Sequence, residues 1–362
     1  MKLLIKGNEA FTEIIRMIDN AKDSILIRMF IWRDDKIGNE ILRHLVDAAN
    51  RGIKITVYKD IYGAIFEKSE ENRKSLFHKK TPFSMNVSAF FMANLIYFHS
   101  ESPRFVKQET NELVTEFLEH KNVVVYRKKF YDHTKYYIID NKTIVIGGIN
   151  IEDKEYDADY QGRKYQDYMV LINNSQELVD KLTARMNNQI EFNHLEKTNF
   201  LVNKKHQQSA LKDIMSLLDK TTKRVYMSMA YFGNKQIRNK LISLKKSGIE
   251  VIVVTSRISN VQDSLNKYEL KKLYQNDIDV YFHPGLVHAK TMLVDDLLML
   301  GSINLNNASL KKMGECSLCT RDMDLIKEWL KDFERLKQEC IKAEKKAFKY
   351  NRIKYFFEKI FG

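Results

Sequence analysis

At 362 residues, with 44% hydrophobic side chains, the chain can bury one large or two medium cores. A formal net charge of +13 points to an anionic partner: nucleic acid, an anionic membrane or a phosphate-bearing substrate. Three cysteines, at 316, 319 and 340, exclude a disulfide framework and fit a reducing compartment.

The N-terminus holds a three-residue apolar run, Leu3-Leu4-Ile5, too short for a signal peptide or an anchor. Phe11 to Ala21 has the apolar spacing of an amphipathic helix. Ser24 to Ile31 reads as a buried strand, Asn39 to Asn50 as a second helix ending near Gly52, and Ile53 to Tyr58 as the next strand. Strand, helix, strand at these lengths implies a parallel sheet with crossover helices.

From Phe83 to Phe98 the sequence carries no charge, and Phe83, Phe90, Phe91, Leu95, Ile96, Tyr97 and Phe98 make it strongly apolar. The stretch is broken by Ser84, Asn86, Ser88 and Asn94 and is short for a membrane span. Two readings stand side by side: a helix packed on the core, or an interfacial segment that dips into lipid.

The polar, basic stretch from Leu195 to Gln208 joins two halves, and His194 and His206 read as surface histidines. Beyond it the first plan recurs: strand Val225 to Met229, helix Gln236 to Lys246 ending at Gly248, strand Ile249 to Thr255. Gly52 matches Gly248, and His133 matches His288. The first offset is the larger, so the first half carries an insertion between Asp60 and His133. His283-Pro284-Gly285 reads as a loop wall, and Cys316 and Cys319 as strand residues. From Asp324 the pattern is helical. Lys342, Lys345, Lys346, Lys349, Arg352, Lys354 and Lys359 alternate with Phe348, Ile353, Phe356, Phe357, Ile360 and Phe361. Such a basic amphipathic tail meets an anionic bilayer, docks on the protein's own body or, as a third reading, forms a nucleic-acid patch. The expected organisation is a first half, 1–198, with the insertion at about 64–110; a second half, 199–323; and a tail, 324–362.

Two copies of one motif dominate the chain. His133-Thr134-Lys135 runs through strand formers to Asp140 and is followed by Gly147-Gly148-Ile149-Asn150. His288-Ala289-Lys290 runs to Asp295 and is followed by Gly301-Ser302-Ile303-Asn304. Each reads as a β-hairpin, with Gly147 opposite Lys135 and Gly301 opposite Lys290. Asp140 and Asp295 then sit at the turns, where a turn-capping role suits them better than direct chemistry. The hairpins gather His, Lys and Asn around small residues, a cluster suited to a tetrahedral anion: Lys for charge, Asn for a neutral donor. Gly147, Gly148, Gly301 and Ser302 would let substrate approach the backbone. A neutral imidazole can attack phosphorus, and a protonated one can deliver a proton to a leaving alkoxide.

The paired motifs resemble the HKD (phospholipase D) superfamily and, within it, the bacterial cardiolipin synthase branch. The likeness extends to Ile31-Trp32-Arg33-Asp34-Asp35 with Ile37-Gly38, to Gly233, and to Ser309 and Glu315, covering roughly 300 residues. It departs from the branch at Tyr131-Asp132-His133-Thr134-Lys135, where arginines are usual, and at Asn306-Asn307-Ala308-Ser309. The resemblance implies an α/β fold of two pseudo-symmetric halves, each a mixed, mostly parallel sheet flanked by helices, with the active site at their interface. It implies no metal and no cofactor. One histidine forms a phosphohistidine, with His133 the expected nucleophile, and the other serves as acid and then base. A carboxylate downstream of each motif orients its histidine; Asp167 and Glu315 are the matching positions.

The expected activity is phosphatidyl transfer between phospholipids, phosphatidylglycerol or a similar anionic lipid, on the inner face of the cell membrane, with the protein cytoplasmic and peripheral. Hydrolysis by water at the same site is the alternative. A nuclease fits the charge but has no use for the apolar insertion or the tail, so no nucleic acid partner is expected. A non-catalytic membrane-binding scaffold would not need both motifs intact. One chain holds both half-sites, so a monomer suffices for the chemistry.

Overall fold

The repeated strand–helix–strand spacing builds two sheets. The computed structural model describes residues 1–70, 72–93, 106–157, 165–205 and 207–361. Asn94, Leu95, Ile96, Tyr97 and Phe98 of the apolar stretch, and His206, lie outside the described residues.

The first half contains β1 (Lys2–Ile5), α1 (Lys6–Asn20), β2 (Ser24–Met29), α2 (Lys36–Asn50), β3 (Lys54–Lys59), α3 (Gly63–Ser69), α4 (Phe83–Phe91) and α5 (Glu112–Glu119). It continues through β4 (Val123–Tyr126), β5 (Tyr136–Ile139), β6 (Thr143–Gly147), α6 (Asp153–Tyr156), β7 (Tyr165–Gln166), β8 (Tyr168–Ile172) and α7 (Gln176–Met186). The second half contains β9 (Thr198–Asn203), α8 (Ser209–Asp219), β10 (Arg224–Met229), α9 (Lys235–Lys246), β11 (Glu250–Ser256), α10 (Asp263–Tyr274) and β12 (Asp279–His283). There follow β13 (Leu286–Val287), β14 (Lys290–Val294), β15 (Leu297–Gly301), β16 (Glu315–Thr320), α11 (Met323–Gln338), β17 (Ile341–Lys342) and α12 (Arg352–Phe361).

The elements form where the side chains require them. Ala10, Phe11, Ile14, Met17 and Ile18 fall on one face of α1 and are buried together. Asp35 caps α2 by accepting the Gly38 N–H at 2.9 Å. In β2 the alternation sends Ile25, Ile27 and Met29 to one core and Leu26 to the other.

The sheet orders are β1-β8-β6-β5-β2-β3-β4 and β17-β12-β11-β10-β14-β15-β16-β9. Both are mixed, but the expectation of mostly parallel strands is corrected. Only β2–β3–β4 and β10–β11–β12 run parallel, and the other pairings within the two sheets are antiparallel. Crossover helices make the parallel pairs. Each motif is a hairpin, and the next strand of the same sheet, β8 or β16, turns back against it.

The two sheets share a core. Tyr136, Ile138, Ile146, Tyr168 and Val170 of the first meet Phe200, Leu293, Leu298, Leu300 and Leu318 of the second. The outer faces carry separate cores under α1, α2 and α5, and under α8, α9 and α10. Helix α11 belongs to the shared core: Leu325, Ile326, Trp329, Phe333 and Leu336 are buried, and Tyr226 stacks on Phe333 at 5.6 Å. The helical pattern expected from Asp324 is interrupted, because Ile341–Lys342 leaves the helix to pair with β12. In the insertion, Met85 and Ala89 pack α4 onto Ile65 of α3, while Phe83, Phe90 and Phe91 are exposed. In α12, Ile353, Phe356 and Phe357 are exposed.

Candidate active site

Hairpin register sets the first layer of the site. β5 and β6 pair Tyr136 with Ile146, and the Gly147 N–H donates to the Lys135 carbonyl at 3.2 Å, as the spacing requires. β14 and β15 pair Thr291 with Leu300, a register that carries on to Lys290 and Gly301. Both aspartates brace the turns from outside. The Asp140 carboxylate accepts from the N–H groups of Lys22, Asp23 and Ser24 at 3.0, 2.8 and 3.2 Å. Asp295 accepts from Thr222, Lys223 and Arg224 at 2.9, 2.8 and 3.0 Å. Burial works against each charge, but these bonds outweigh it and hold both carboxyls below the usual range.

Backbone bonds then stitch each histidine to the opposite half. The His133 N–H donates to the Gly314 carbonyl, and the Gly314 N–H to the Tyr131 carbonyl, both at 2.7 Å. The N–H groups of His288 and Ala289 donate to the Gln166 carbonyl at 2.9 and 3.0 Å, where β13 runs parallel to β7. Gly314 precedes Glu315 and Gln166 precedes Asp167, so each carboxylate is delivered to the histidine of the other half. His133 Nδ1 lies 3.1 Å from both oxygens of Glu315. His288 Nδ1 lies 2.9 Å from Asp167 Oδ2. The expectation that the downstream carboxylate serves the histidine of its own motif is corrected accordingly.

His133, His288, Asn150 and Asn304 line one cavity that opens to solvent. Among the described residues, neither asparagine Oδ1 has a hydrogen-bond partner. Both carboxamide oxygens are thus buried acceptors without a partner, and both side chains border the cavity. Lys135 and Lys290 stand behind this wall, and each ammonium donates to the carbonyl of its own histidine, Lys135 at 2.7 Å. Gly147, Gly148, Gly301 and Ser302 were expected to touch substrate, but none of them lines the cavity. A Cβ at Gly147 or Gly301 would strike the neighbouring strand, and one at Gly148 would strike the Asp167 carboxylate. Ser302 Oγ is bonded to Cys316 N–H and carbonyl. These small residues make room for the carboxylate-bearing strands and not for the ligand.

The two imidazoles differ. Burial lowers the His133 pKa to about 4, with Lys135 and Lys290 adding to the effect and Glu315 opposing it. Burial and Lys290 also work against a proton on His288, but Glu155 and Asp167 outweigh them, and its pKa is raised. Burial and Lys290 bring Lys135 down to about 7. Glu155 Oε1 lies 2.9 Å from His288 Nδ1, the same distance as Asp167 Oδ2. Donor atoms of Glu155, Asp167 and His288 lie within 4.8 Å of one another. The Lys290 ammonium, 3.6 Å from Asp167, brings a cationic charge to this cluster.

Sequence reasoning missed Glu155, and also Glu70, Glu152, Lys154 and Tyr231 on the cavity wall. A signal for Glu155 existed. It lies five residues after Asn150, as Ser309 lies five after Asn304.

Two HKD-type hairpins sharing one cavity agree with a family match that spans most of the chain. The family described as "Cardiolipin synthase, PLD-like domain" matches residues 14–190 and 214–337. The chain belongs to this cardiolipin synthase PLD-like family. It is 22% identical over 338 residues to a cardiolipin synthase of Listeria monocytogenes serotype 4a, covering 86% of this chain and 63% of that protein. It is 23% identical over 357 residues to cardiolipin synthase B of Shigella flexneri, covering 89% of this chain and 76% of that one. The chain therefore spans under two thirds of the Listeria relative's length. Among solved structures, the phosphatidylserine synthase of Haemophilus influenzae shares the fold, with a TM-score of 0.68 at 14% identity over 99% of this chain and 92% of its own. The PLD-like family thus accounts for both halves and for the hairpin in each.

Proposed function

We propose that the chain is a phosphatidyltransferase of the cardiolipin synthase kind, moving a phosphatidyl group between phospholipids through a phosphohistidine. The supporting observation is the pair of imidazoles on one cavity wall, each with Nδ1 on a carboxylate and Nε2 left for the ligand. In this reading the neutral ring of His133 attacks phosphorus through Nε2. The P–O bond to the departing alcohol breaks, and its oxygen takes the Nε2 proton of His288. The acceptor hydroxyl gives its proton to the now neutral His288, its oxygen attacks phosphorus, and the P–N bond breaks. Asn150 and Asn304 donate to the non-bridging oxygens, and Lys135 and Lys290 supply charge from behind. Asp167 and Glu315 hold the rings. Water in place of the acceptor would make the same site a phospholipase D.

A lipid substrate is favoured by the surroundings of the cavity. Phe66 of α3 lines it, and α4, packed on α3, exposes three phenylalanines. Asn260, Val261 and Gln262 line the other side. They lead into α10, whose Leu265 N–H is held by Glu358 of α12 at 2.7 Å. A greasy, uncharged helix thus adjoins one lip of the cleft, and a greasy, basic one is tied to the other. Among the described residues no helix is long and apolar enough to cross a membrane. Peripheral contact with the inner, anionic face of the cell membrane is the proposed setting.

The test is to incubate the protein with phosphatidylglycerol vesicles and, separately, with single-stranded DNA, both without divalent metal. A lipid-transfer product with intact DNA is expected. Cleaved DNA with unchanged lipid would overturn the proposal.

A further inference from the structure

The two halves place different residues at one equivalent position, and the difference falls on the catalytic pair. Five residues after Asn150 stands Glu155, presented by the short helix α6. Five residues after Asn304 stands Ser309, presented by the turn 308–312. Both are buried. Glu155 brings a second carboxylate to His288 Nδ1, at 2.9 Å, beside Asp167. Ser309 brings no charge; its hydroxyl donates to Glu315 Oε1, the carboxylate that faces His133. Resting on the transfer mechanism above, we propose that this position divides the labour between the histidines: Glu155 keeps His288 charged as proton donor, and Ser309 keeps His133 neutral as nucleophile.

The physical reasons run in opposite directions. A second anion beside an imidazole favours its protonated form. A hydroxyl that donates to a carboxylate spreads that carboxylate's charge and weakens its hold on the adjoining imidazolium. The other groups facing each ring do not cancel this. His288 faces Asp167, the Lys290 ammonium, the Tyr231 ring at 6.5 Å and the more distant Glu152. Glu152 is taken up by Arg33 at 2.6 Å and Lys154 at 3.6 Å. His133 faces Glu315, Lys135, Lys290 and the edge of Phe30 at 4.7 Å. Counted as charges, the His288 centre holds two carboxylates against one lysine. The His133 centre holds one carboxylate against two. Glu155 and Ser309 are therefore positioning residues that act through the rings and need not touch substrate.

The experiment follows the histidine Cε1–H signals by NMR as pH is varied, with His133→Ala and His288→Ala assigning the two rings. Glu155→Gln should lower the His288 midpoint by about one pH unit and leave His133 in place. Ser309→Ala should raise the His133 midpoint and leave His288 in place. Glu155→Asp, which keeps the charge but draws it back, should move His288 part-way and serves if the glutamine variant does not fold. Midpoints that stay put in folded variants, even with slower turnover, would reduce both residues to packing and overturn the proposal. The NMR readout needs no turnover, so a failure of the transferase reading, seen as unchanged lipid, remains distinct from a failure of this one.

Discussion

Glu315 sits 3.1 Å from His133 Nδ1 although 182 positions separate them, and neither half can complete its own centre. Glu315→Gln should therefore act as a lesion of the first motif, and Asp167→Asn as a lesion of the second. Each should cut kcat by about 10²-fold with little change in KM, because the ring loses its orientation and the substrate contacts stay. Kinetics on phosphatidylglycerol vesicles would read this. Combining Glu315→Gln with His133→Ala should cost little beyond His133→Ala alone, whereas two independent lesions would multiply.

The histidine roles can be separated with a p-nitrophenyl phosphodiester, whose leaving group departs without a proton. His288→Ala should still release one equivalent of p-nitrophenolate in a burst and then stall as the phosphohistidine. His133→Ala should give no burst. A burst from the His133 variant would reverse the assignment.

The pH dependence follows from the shifts. His133 must be neutral to attack, and its pKa is lowered to about 4, so kcat/KM falls only as pH drops through that value. His288 must be protonated, and its pKa is raised above the ordinary histidine value, so activity is lost as pH rises through the raised value. Lys135, brought down to about 7, loses its charge in the same direction and steepens the alkaline limb. A pH–rate profile should show a broad plateau on the acid side of neutrality.

The strand–helix–strand plan, the doubled hairpins and their register were legible, because apolar periodicity and turn residues are local signals. The largely antiparallel character of the sheets was not, since a crossover helix reports only on the strands it joins and says nothing of β8 or β16. Nor was the exchange of carboxylates. It arises from the bonds of His133 to Gly314 and of His288 to Gln166, which exist only once the halves face one another. Glu155 was in plain view, but its meaning required setting it beside Ser309.

Membrane contact is open to direct measurement. Phe356→Ser with Phe357→Ser, and separately Phe83→Ser with Phe90→Ser, should each weaken co-sedimentation with phosphatidylglycerol vesicles several-fold. Turnover of a water-soluble phosphodiester should be unaffected. Near-surface cations contribute about 1 kcal/mol each, so raising salt should weaken binding further. Unchanged sedimentation would remove both helices from the interface.

Trp329 is fully buried in the core shared by the two sheets and stacks on Phe333 at 4.9 Å. Trp329→Ala should cost about 3–5 kcal/mol, read as a lowered denaturant midpoint. A much smaller loss would mean that α11 is a removable appendage.

Gly148 has no functional group and does not line the cavity, yet the Asp167 carboxylate occupies the space its missing side chain would fill. An alanine there would displace the acid by simple bulk, and the remote ring of His288 would swing loose. A vacancy on one strand is thus as much a part of the catalytic apparatus as the atoms that flank it, and a single methyl group could silence the molecule without altering any residue that reacts.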